Sequence, residues 1–283
     1  MLMHALLVLL LRTDSDYILS MEQNNSAPYL FIGVRMDNNL LPDEKITVVN
    51  DNIKLIEKKQ GLTFGTDAYL LSAFIKPQKS GIAVELGGGT GIISMLCSSR
   101  GKFSKIYCAE LQETFCDIIK RNIMINGLDN IFCLDGDIRD LNVQKIGKEA
   151  DVVFSNPPYM CSNCGKRNFS DEKYIARHEI FGGINDFCEC ACRLLKHGGL
   201  FYCVFRPDRL ADLFFFLRIN RLEPKEMTMV YSNTKSKPSI VLVKAKKGAS
   251  PSLIVNEPLF LNRVDDPLSL TERAKTIYEN CNF

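Results

Sequence analysis

Ile82-Ala-Val-Glu-Leu86 runs directly into Gly87-Gly88-Gly89-Thr90-Gly91, and these ten residues decide the fold. A short apolar run that stops at glycine has the length and composition of a buried strand. The residues after it, Gly91 to Ser99, read as a helix, so the unit is strand, glycine turn, helix. The spacing Gly87, Gly89, Gly91 is G-x-G-x-G, which differs from the G-x-G-x-x-G of a dinucleotide fingerprint. A dinucleotide needs a helix N-terminus aimed at a pyrophosphate. A nucleoside carrying an amino acid has no phosphate, and needs only a backbone bare enough to lie against.

Working outward, the same alternation repeats. Lys105–Glu110, Ile131–Leu134 and Asp151–Phe154 read as strands. Between them, Gln112–Asn126 carries Phe115, Ile118, Ile119 and Ile123 at helical spacing, and a short helix is expected from about Ile138. After a long loop, Asn156 to Ile175, a helix is predicted over Glu179–Lys196, stopped by Gly198-Gly199. Leu200–Phe205 is a strand and Pro207–Ile219 a helix, with Phe214-Phe-Phe216 in its core face. Strands near Glu226–Tyr231 and Ser239–Lys246 lack a helix between them and are expected to pair antiparallel. Upstream, Asp67–Ile75 reads as a helix capped by Thr66 or Asp67, and Ile46–Val49 has β character. The fold class is therefore α/β, a doubly wound, mostly parallel seven-stranded sheet whose last strands run antiparallel. The expected divisions are an irregular extension over 1–35, a lead-in over 36–80, the main domain over 81–250 and an irregular tail over 251–283.

Composition excludes several classes. Of 283 residues, 46% are hydrophobic and 24% charged, a folded globular profile rather than a disordered one. The apolar segment Met1–Leu11 is too short to span a bilayer, where roughly 20 residues are needed. It has no basic flank or cleavage site, and a start at Met21 or Met36 is expected instead. Eleven cysteines at irregular spacing, among them Cys108, Cys133 and Cys203 inside apolar runs, read as buried free thiols in a reducing compartment. The net charge is only +2, but from Lys196 to Lys247 there are 11 Lys or Arg against 4 Asp or Glu. Such a stretch either faces a phosphate backbone or is a solvated surface.

Ligands of a doubly wound sheet bind beyond the carboxyl ends of its strands. Glu85 precedes the glycine turn, within reach of an ammonium group directly or through water. Glu110 ends the next strand, where a carboxylate accepts from both ribose hydroxyls. Asp137 follows the third strand, where a short acid accepts from an adenine amine. The fourth strand runs into Asn156-Pro157-Pro158-Tyr159. The paired prolines fix φ and remove two backbone donors, so the Pro157 carbonyl is a rigid acceptor. The Asn156 side-chain oxygen is a second acceptor, and the Tyr159 ring is a plane for stacking. Two acceptors beside an aromatic face suit a flat NH2 group.

The combination ELGGGTG at 85–91, Ala109-Glu110, Gly136-Asp137 and NPPY at 156–159 resembles the N6-adenine and N5-glutamine branch of class I S-adenosylmethionine-dependent methyltransferases. Two more segments narrow the likeness, Gln60-Gly-Leu-Thr-Phe-Gly-Thr-Asp67-Ala-Tyr-Leu-Leu71 and Ala176-Arg-His-Glu179. With them the chain, from about Leu40 to Gly248, is similar to the bacterial valine-tRNA (adenine-37-N6) methyltransferase family. The resemblance implies the Rossmann-like sheet of class I methyltransferases. It also implies S-adenosyl-L-methionine as cofactor and a cytoplasmic enzyme acting on the N6 amine of an adenine in a tRNA anticodon loop. It maps the family's catalytic motif onto Asn156, Pro157, Pro158 and Tyr159, and the donor site onto Glu85 and Glu110. Asp67, Arg177 and His178 belong to the matching segments with their roles left open, Arg177 as a phosphate contact or a support for the NPPY loop. Transfer itself would be an in-line displacement governed by positioning.

Other readings compete. A protein glutamine methyltransferase uses the same amide logic, yet a separate N-terminal substrate domain would be expected and few residues precede the glycine turn. Methylation of rRNA or DNA fits the same motif. A silent binding module is opposed by the complete NPPY, and a nicotinamide dehydrogenase by the glycine spacing. Cys161-x-x-Cys164 invites zinc, but of Cys188, Cys190 and Cys192 at most two share a helix face, so no metal is expected. His178 is expected to pack or orient rather than act as a base. The lysines at 235–237 and 244–247 are tRNA contacts or a solvated face in equal measure. A monomer without membrane attachment is expected.

Overall fold

The computed structural model describes residues 17–20, 31–34, 40–60, 65–157 and 183–283. Residues 1–41 and 42–283 form two compact units. In the first, strand β1 (Tyr17–Ser20) pairs antiparallel with β2 (Phe31–Val34), in register from Tyr17↔Val34 to Ser20↔Phe31. That ribbon lies in a segment expected to be irregular.

The second unit opens with a hairpin, β3 (Glu44–Asn50) and β4 (Ile53–Lys58), of which the sequence reading found only the first half. Helix α1 (Thr66–Phe74) follows, then β5 (Gln78–Leu86) and α2 (Ile92–Ser99). Next come β6 (Phe103–Glu110), α3 (Glu113–Ile125) and β7 (Ile131–Asp135). A 3-10 turn (Ile138–Asp140) and the single-turn α4 (Val143–Ile146) stand where one short helix was expected. Then follow β8 (Ala150–Ser155), α5 (Ile184–Leu194) and β9 (Leu195–Phe205). A 3-10 turn (Pro207–Arg209) leads into α6 (Leu210–Ile219), β10 (Leu222–Tyr231) and β11 (Pro238–Lys247).

The long strands lie in the order β10-β11-β9-β8-β5-β6-β7. The β5, β6, β7, β8 and β9 pairs are parallel, and β11 runs antiparallel to both β9 and β10. This is the expected doubly wound sheet with an antiparallel closing strand. The strand order reverses between β5 and β8, and sheets of this kind bind their ligands beyond the carboxyl ends of the strands at such a point. Neighbouring residues of one strand feed two cores. Ala83, Ile106 and Cys108 join the layer that contains α1 and α2, whereas Val84, Tyr107 and Ala109 join the layer that contains α5 and α6. Burial on both faces is why these strands read as continuous apolar runs.

Four expectations fail for local reasons. α5 ends at Leu194, ahead of the Gly198-Gly199 pair; Leu195 turns extended and starts β9, and the glycines lie inside that strand. The α1 cap is Gly65, one residue before the expected Thr66, and a Cβ there would stand 2.7 Å from Asp67 Oδ1. In α6 the fully buried residues are Leu213 and Leu217, while Phe215 is 60% exposed and Phe214 and Phe216 only pack against the core edge. The tail is not irregular. β12 (Ile254–Val255) and β13 (Leu259–Phe260) pair parallel with β10, and Thr271 caps helix α7 (Glu272–Asn280) by accepting from Ala274 N–H. Among the described residues no helix is long and apolar enough to cross a membrane.

Candidate active site

Parallel register sets the strand tips level. Ser155 on β8 is opposite Leu86 on β5, Leu86 is opposite Ala109 on β6, and Glu110 is opposite Asp135 on β7. One residue beyond each tip stand Asn156 and Gly87, on adjacent strands at the same edge of the sheet. The Ser155 hydroxyl ties the two strands by donating to Leu86 O at 2.7 Å. The glycine turn folds over β6, with the N–H groups of Gly87 and Gly88 donating to Ala109 O at 2.9 and 3.0 Å.

Two glycines explain the turn. A Cβ on Gly88 would stand 2.3 Å from Cys108 Sγ, so the turn could not lie this close to β6 with any side chain there. Gly89 has a left-handed φ of +56°, and nothing lies within 4 Å of where its Cβ would be. Its outer side is bare, and the turn forms an open cradle there. Gly87 and Gly91 flank this pair, Gly91 as the residue that opens α2.

The Glu110 carboxylate is buried beneath this cradle. Its Oε2 accepts from Gly89 N–H at 2.8 Å, and its Oε1 accepts from the N–H groups of Leu111 and Gln112, both at 2.9 Å. Burial raises its pKa, and these backbone donors oppose the rise. Among the described residues Oε2 accepts only from Gly89, which leaves one acceptor direction for a hydroxyl.

Glu85 is turned inward. Its Oε2 accepts from Ser94 N–H at 3.0 Å and from the Ser94 hydroxyl, with Cys108 Sγ at 3.5 Å. Gly91 has no side chain with which to cap α2, and Glu85 satisfies that helix's third N–H instead. Burial pushes its carboxyl up to about 7, against the hydrogen bonds from Ser94 and Cys108. Its Oε1 receives no hydrogen bond from the described residues. Asp137 caps the 3-10 turn by accepting from Arg139 N–H at 2.8 Å, and both its oxygens accept from the Arg139 guanidinium, which holds its carboxyl below the usual range. Both acids thus have structural partners within the protein.

Asn156 is half-buried and Pro157 buried at the end of β8. The Asn156 Nδ2 donates to Asp67 Oδ2 at 3.1 Å, across 89 residues of sequence. Pro158, Tyr159, Cys161, Cys164, Arg177 and His178 lie outside the described residues, as do residues 61–64.

The sequence reading missed Asn122. Fully buried in α3, it donates from Nδ2 to Thr90 O in the glycine turn and to Ile56 O on β4, both at 3.0 Å, and accepts from Ile56 N–H at 2.7 Å. Asn126, one turn on, exchanges the same kind of pair with Lys54 at 2.7 and 2.8 Å. Their signal was an amide on the apolar stripe Phe115–Ile118–Ile119, where a polar residue needs a buried partner.

The basic stretch is largely spent on the fold. Lys196 pairs with Asp151, Arg206 with Asp208, Arg209 with Asp212, Arg218 with Glu223 and Lys244 with Glu226. Lys247 donates to Cys192 O and Leu195 O, capping the end of α5. The described cysteines, Cys188, Cys190 and Cys192 included, are free thiols, and burial pushes Cys97 up to about 12.

A family model described as the methyltransferase small domain matches residues 59–209. Among curated relatives, the tRNA1(Val) (adenine(37)-N6)-methyltransferase of Phocaeicola vulgatus is 23% identical over 70% of this chain and 83% of that protein. The protein of the same name from Aliivibrio salmonicida is 25% identical over 49% of this chain, which spans 58% of the relative's length. Among solved structures, a predicted O-methyltransferase from Agrobacterium tumefaciens superposes with a TM-score of 0.63 at 18% identity, covering 77% of this chain and 97% of that one. M. jannaschii TYW2, solved in complex with AdoMet, gives a TM-score of 0.50 at 16% identity, over 77% of this chain and 89% of the other. These likenesses reproduce the fold.

Proposed function

The chain belongs to the methyltransferase small-domain family and is an S-adenosylmethionine-dependent methyltransferase; from that premise we propose that its acceptor is the N6 amine of adenine 37 in valine tRNA. The observation that carries this reading is the register Ser155↔Leu86, after which Asn156 and Gly87 leave adjacent strands together at the switch point. Support for the specific acceptor comes from the names of the relatives in Phocaeicola vulgatus and Aliivibrio salmonicida.

The residues fit a nucleoside that carries an amino acid. Gly89 offers a surface with no side chain, and the carboxylate of Glu110 lies directly beneath it with an acceptor direction to spare. S-adenosylmethionine supplies, when bound, an electrophilic methyl group on a sulfonium. On this reading Asn156 Oδ1 and the Pro157 carbonyl each accept one hydrogen of the incoming NH2. That turns the nitrogen lone pair out of conjugation and toward the methyl group. Held this way, the amine nitrogen would be presented for transfer of that methyl group, and its extra proton would leave afterwards. No strong base is required, so the protein's share of the rate is positioning. Tyr159 supplies the stacking plane. An anticodon-loop base is already partly unstacked, which lowers the cost of presenting it.

The test uses methyl-labelled donor and transcripts of valine tRNA carrying either A37 or G37. The expected result is N6-methyladenosine in digests of the A37 transcript alone. Equal labelling of both transcripts overturns the assigned position. The variant Asn156→Ala should abolish transfer while donor affinity stays within about three-fold, since only positioning is lost.

A further inference from the structure

We propose that Asp67 is a positioning residue that fixes which way the Asn156 carboxamide faces; the inference rests on the role given to Asn156 above. A carboxamide has one end that only accepts and one that only donates, and the two are nearly equal in shape. Turned one way, Asn156 offers an oxygen to the substrate NH2. Turned the other way, it sets two N–H donors against two N–H donors, and the amine is repelled. The side chain alone does not choose between these states.

Asp67 favours the first of them. Its Oδ2 accepts from Asn156 Nδ2 at 3.1 Å, while its Oδ1 accepts from Ala68 N–H at 3.0 Å in the first turn of α1. An ionised carboxylate accepts and cannot donate, so it pairs with the NH2 end of the amide and never with the oxygen. Oδ1 of Asn156 is thereby held on the branch of the carboxamide away from Asp67.

The orienting group is itself immobile. Residues Ala68 to Phe74 of α1 are all buried. Tyr69 Oη donates to Tyr278 O at 2.6 Å, and the two rings lie 4.9 Å apart, so the C-terminal helix α7 clamps the same turn of α1. Gly65 precedes it because Asp67 Oδ1 fills the place of a Cβ there. Sequence spacing cannot show this pairing, because the two residues lie 89 positions apart in the chain.

The experiment exchanges donor and acceptor. Asp67→Asn leaves two amides that can pair in either sense, and kcat should fall about 10- to 100-fold from misorientation. Asn156→Asp alone sets two carboxylates together and should be similarly impaired. The double variant Asp67→Asn/Asn156→Asp restores one hydrogen bond with its direction reversed. It again leaves an oxygen for the substrate, and kcat should recover to within about ten-fold of wild type. Donor affinity by calorimetry should stay within about three-fold throughout, because a loss confined to kcat separates orientation from donor binding.

A second readout needs no substrate. In Asp67→Ala the Asn156 side-chain NH2 resonances should shift or broaden, as the hydrogen bond from Nδ2 to the carboxylate is lost. Unchanged resonances, or a double variant no more active than the poorer single one, overturn the proposal. A wild-type enzyme that labels no RNA adenine overturns the functional reading instead, and the resonances then decide the role of Asp67.

Discussion

The carboxamide of Asn122 donates to the carbonyl of Thr90 at 3.0 Å and thereby hangs the glycine turn from helix α3. The same side chain exchanges two hydrogen bonds with Ile56, so one residue couples the cradle to the lead-in hairpin. Asn122→Ala removes a partner from three buried backbone groups at once. Each such group costs about 1–3 kcal/mol when stranded, and partial relaxation lowers the sum. The expected loss of unfolding free energy is about 3 kcal/mol, read from urea titration. A loss under about 1 kcal/mol would mean that water replaces the amide.

How much of this was legible depends on the range of the signal. The strands β5, β6 and β8 were readable because both faces are buried and glycine or a turn bounds each run, and β7 from its short Ile131–Leu134 run, although Phe132 is exposed at the sheet's edge. The placement of Glu85, Glu110 and Asn156 near the strand tips was readable because parallel strands bring consecutive tips to one edge. The strand β4 was not, since its outer edge is paired by the amides of Asn122 and Asn126 rather than by another strand. The tail was read as irregular because β12 and β13 are two residues each, too short for any period. Its helix carried a visible cap, Thr271 followed by Glu272. The inward turn of Glu85 and the grip of Arg139 on Asp137 depend on rotamers, which sequence does not encode at a distance.

Glu85 makes stability depend on pH. Its carboxyl is raised to about 7 from 4.5, first by burial. Between those values the folded chain holds a proton that the unfolded chain has released. Stability therefore falls as pH rises through the window and levels off above it. The change is on the order of 3 kcal/mol for a shift of this size. Burial raises Glu110 too, with the same sign. Glu85→Gln keeps an acceptor for Ser94 without the titration, so its urea midpoint should be flatter than wild type between pH 5 and 8. Parallel profiles for the two proteins would remove Glu85 as the source.

Gly88 and Cys108 form a tight pair that can be taken apart. In Gly88→Ala the new methyl would stand 2.3 Å from Cys108 Sγ and 3.3 Å from Ile119 Cδ1. Overpacking of this kind costs about 1–3 kcal/mol. Replacing the thiol as well, in Gly88→Ala/Cys108→Ala, should recover at least about 1 kcal/mol relative to the sum of the single losses. Gly89→Ala is the control: its strain comes from φ alone, so Cys108→Ala should not relieve it. Additivity in the first pair would show that the turn shifts away from β6 instead.

Lys102 is the buried cation that closes α1. Only 4% exposed, it donates from Nζ to Ser72 O at 2.6 Å and to Ile75 O at 2.7 Å. Burial lowers its pKa, the ordinary penalty for a charge withdrawn from water. The two carbonyls lie at the negative end of the helix, where a cation is favoured, so the pairing offsets part of that penalty. Lys102→Met preserves the length of the apolar stem and removes both donors. It should cost about 2 kcal/mol, less than two stranded carbonyls would suggest, because the buried charge goes with them. The functional consequence should be small. Asp67 lies at the opposite end of α1, and end effects fade within the first or last turn. Methyl transfer by Lys102→Met at a temperature where it is fully folded should stay within about three-fold of wild type. If transfer drops in step with Asp67→Ala instead, α1 moves as a rigid lever, and the hold of Asp67 on Asn156 depends on both of its ends.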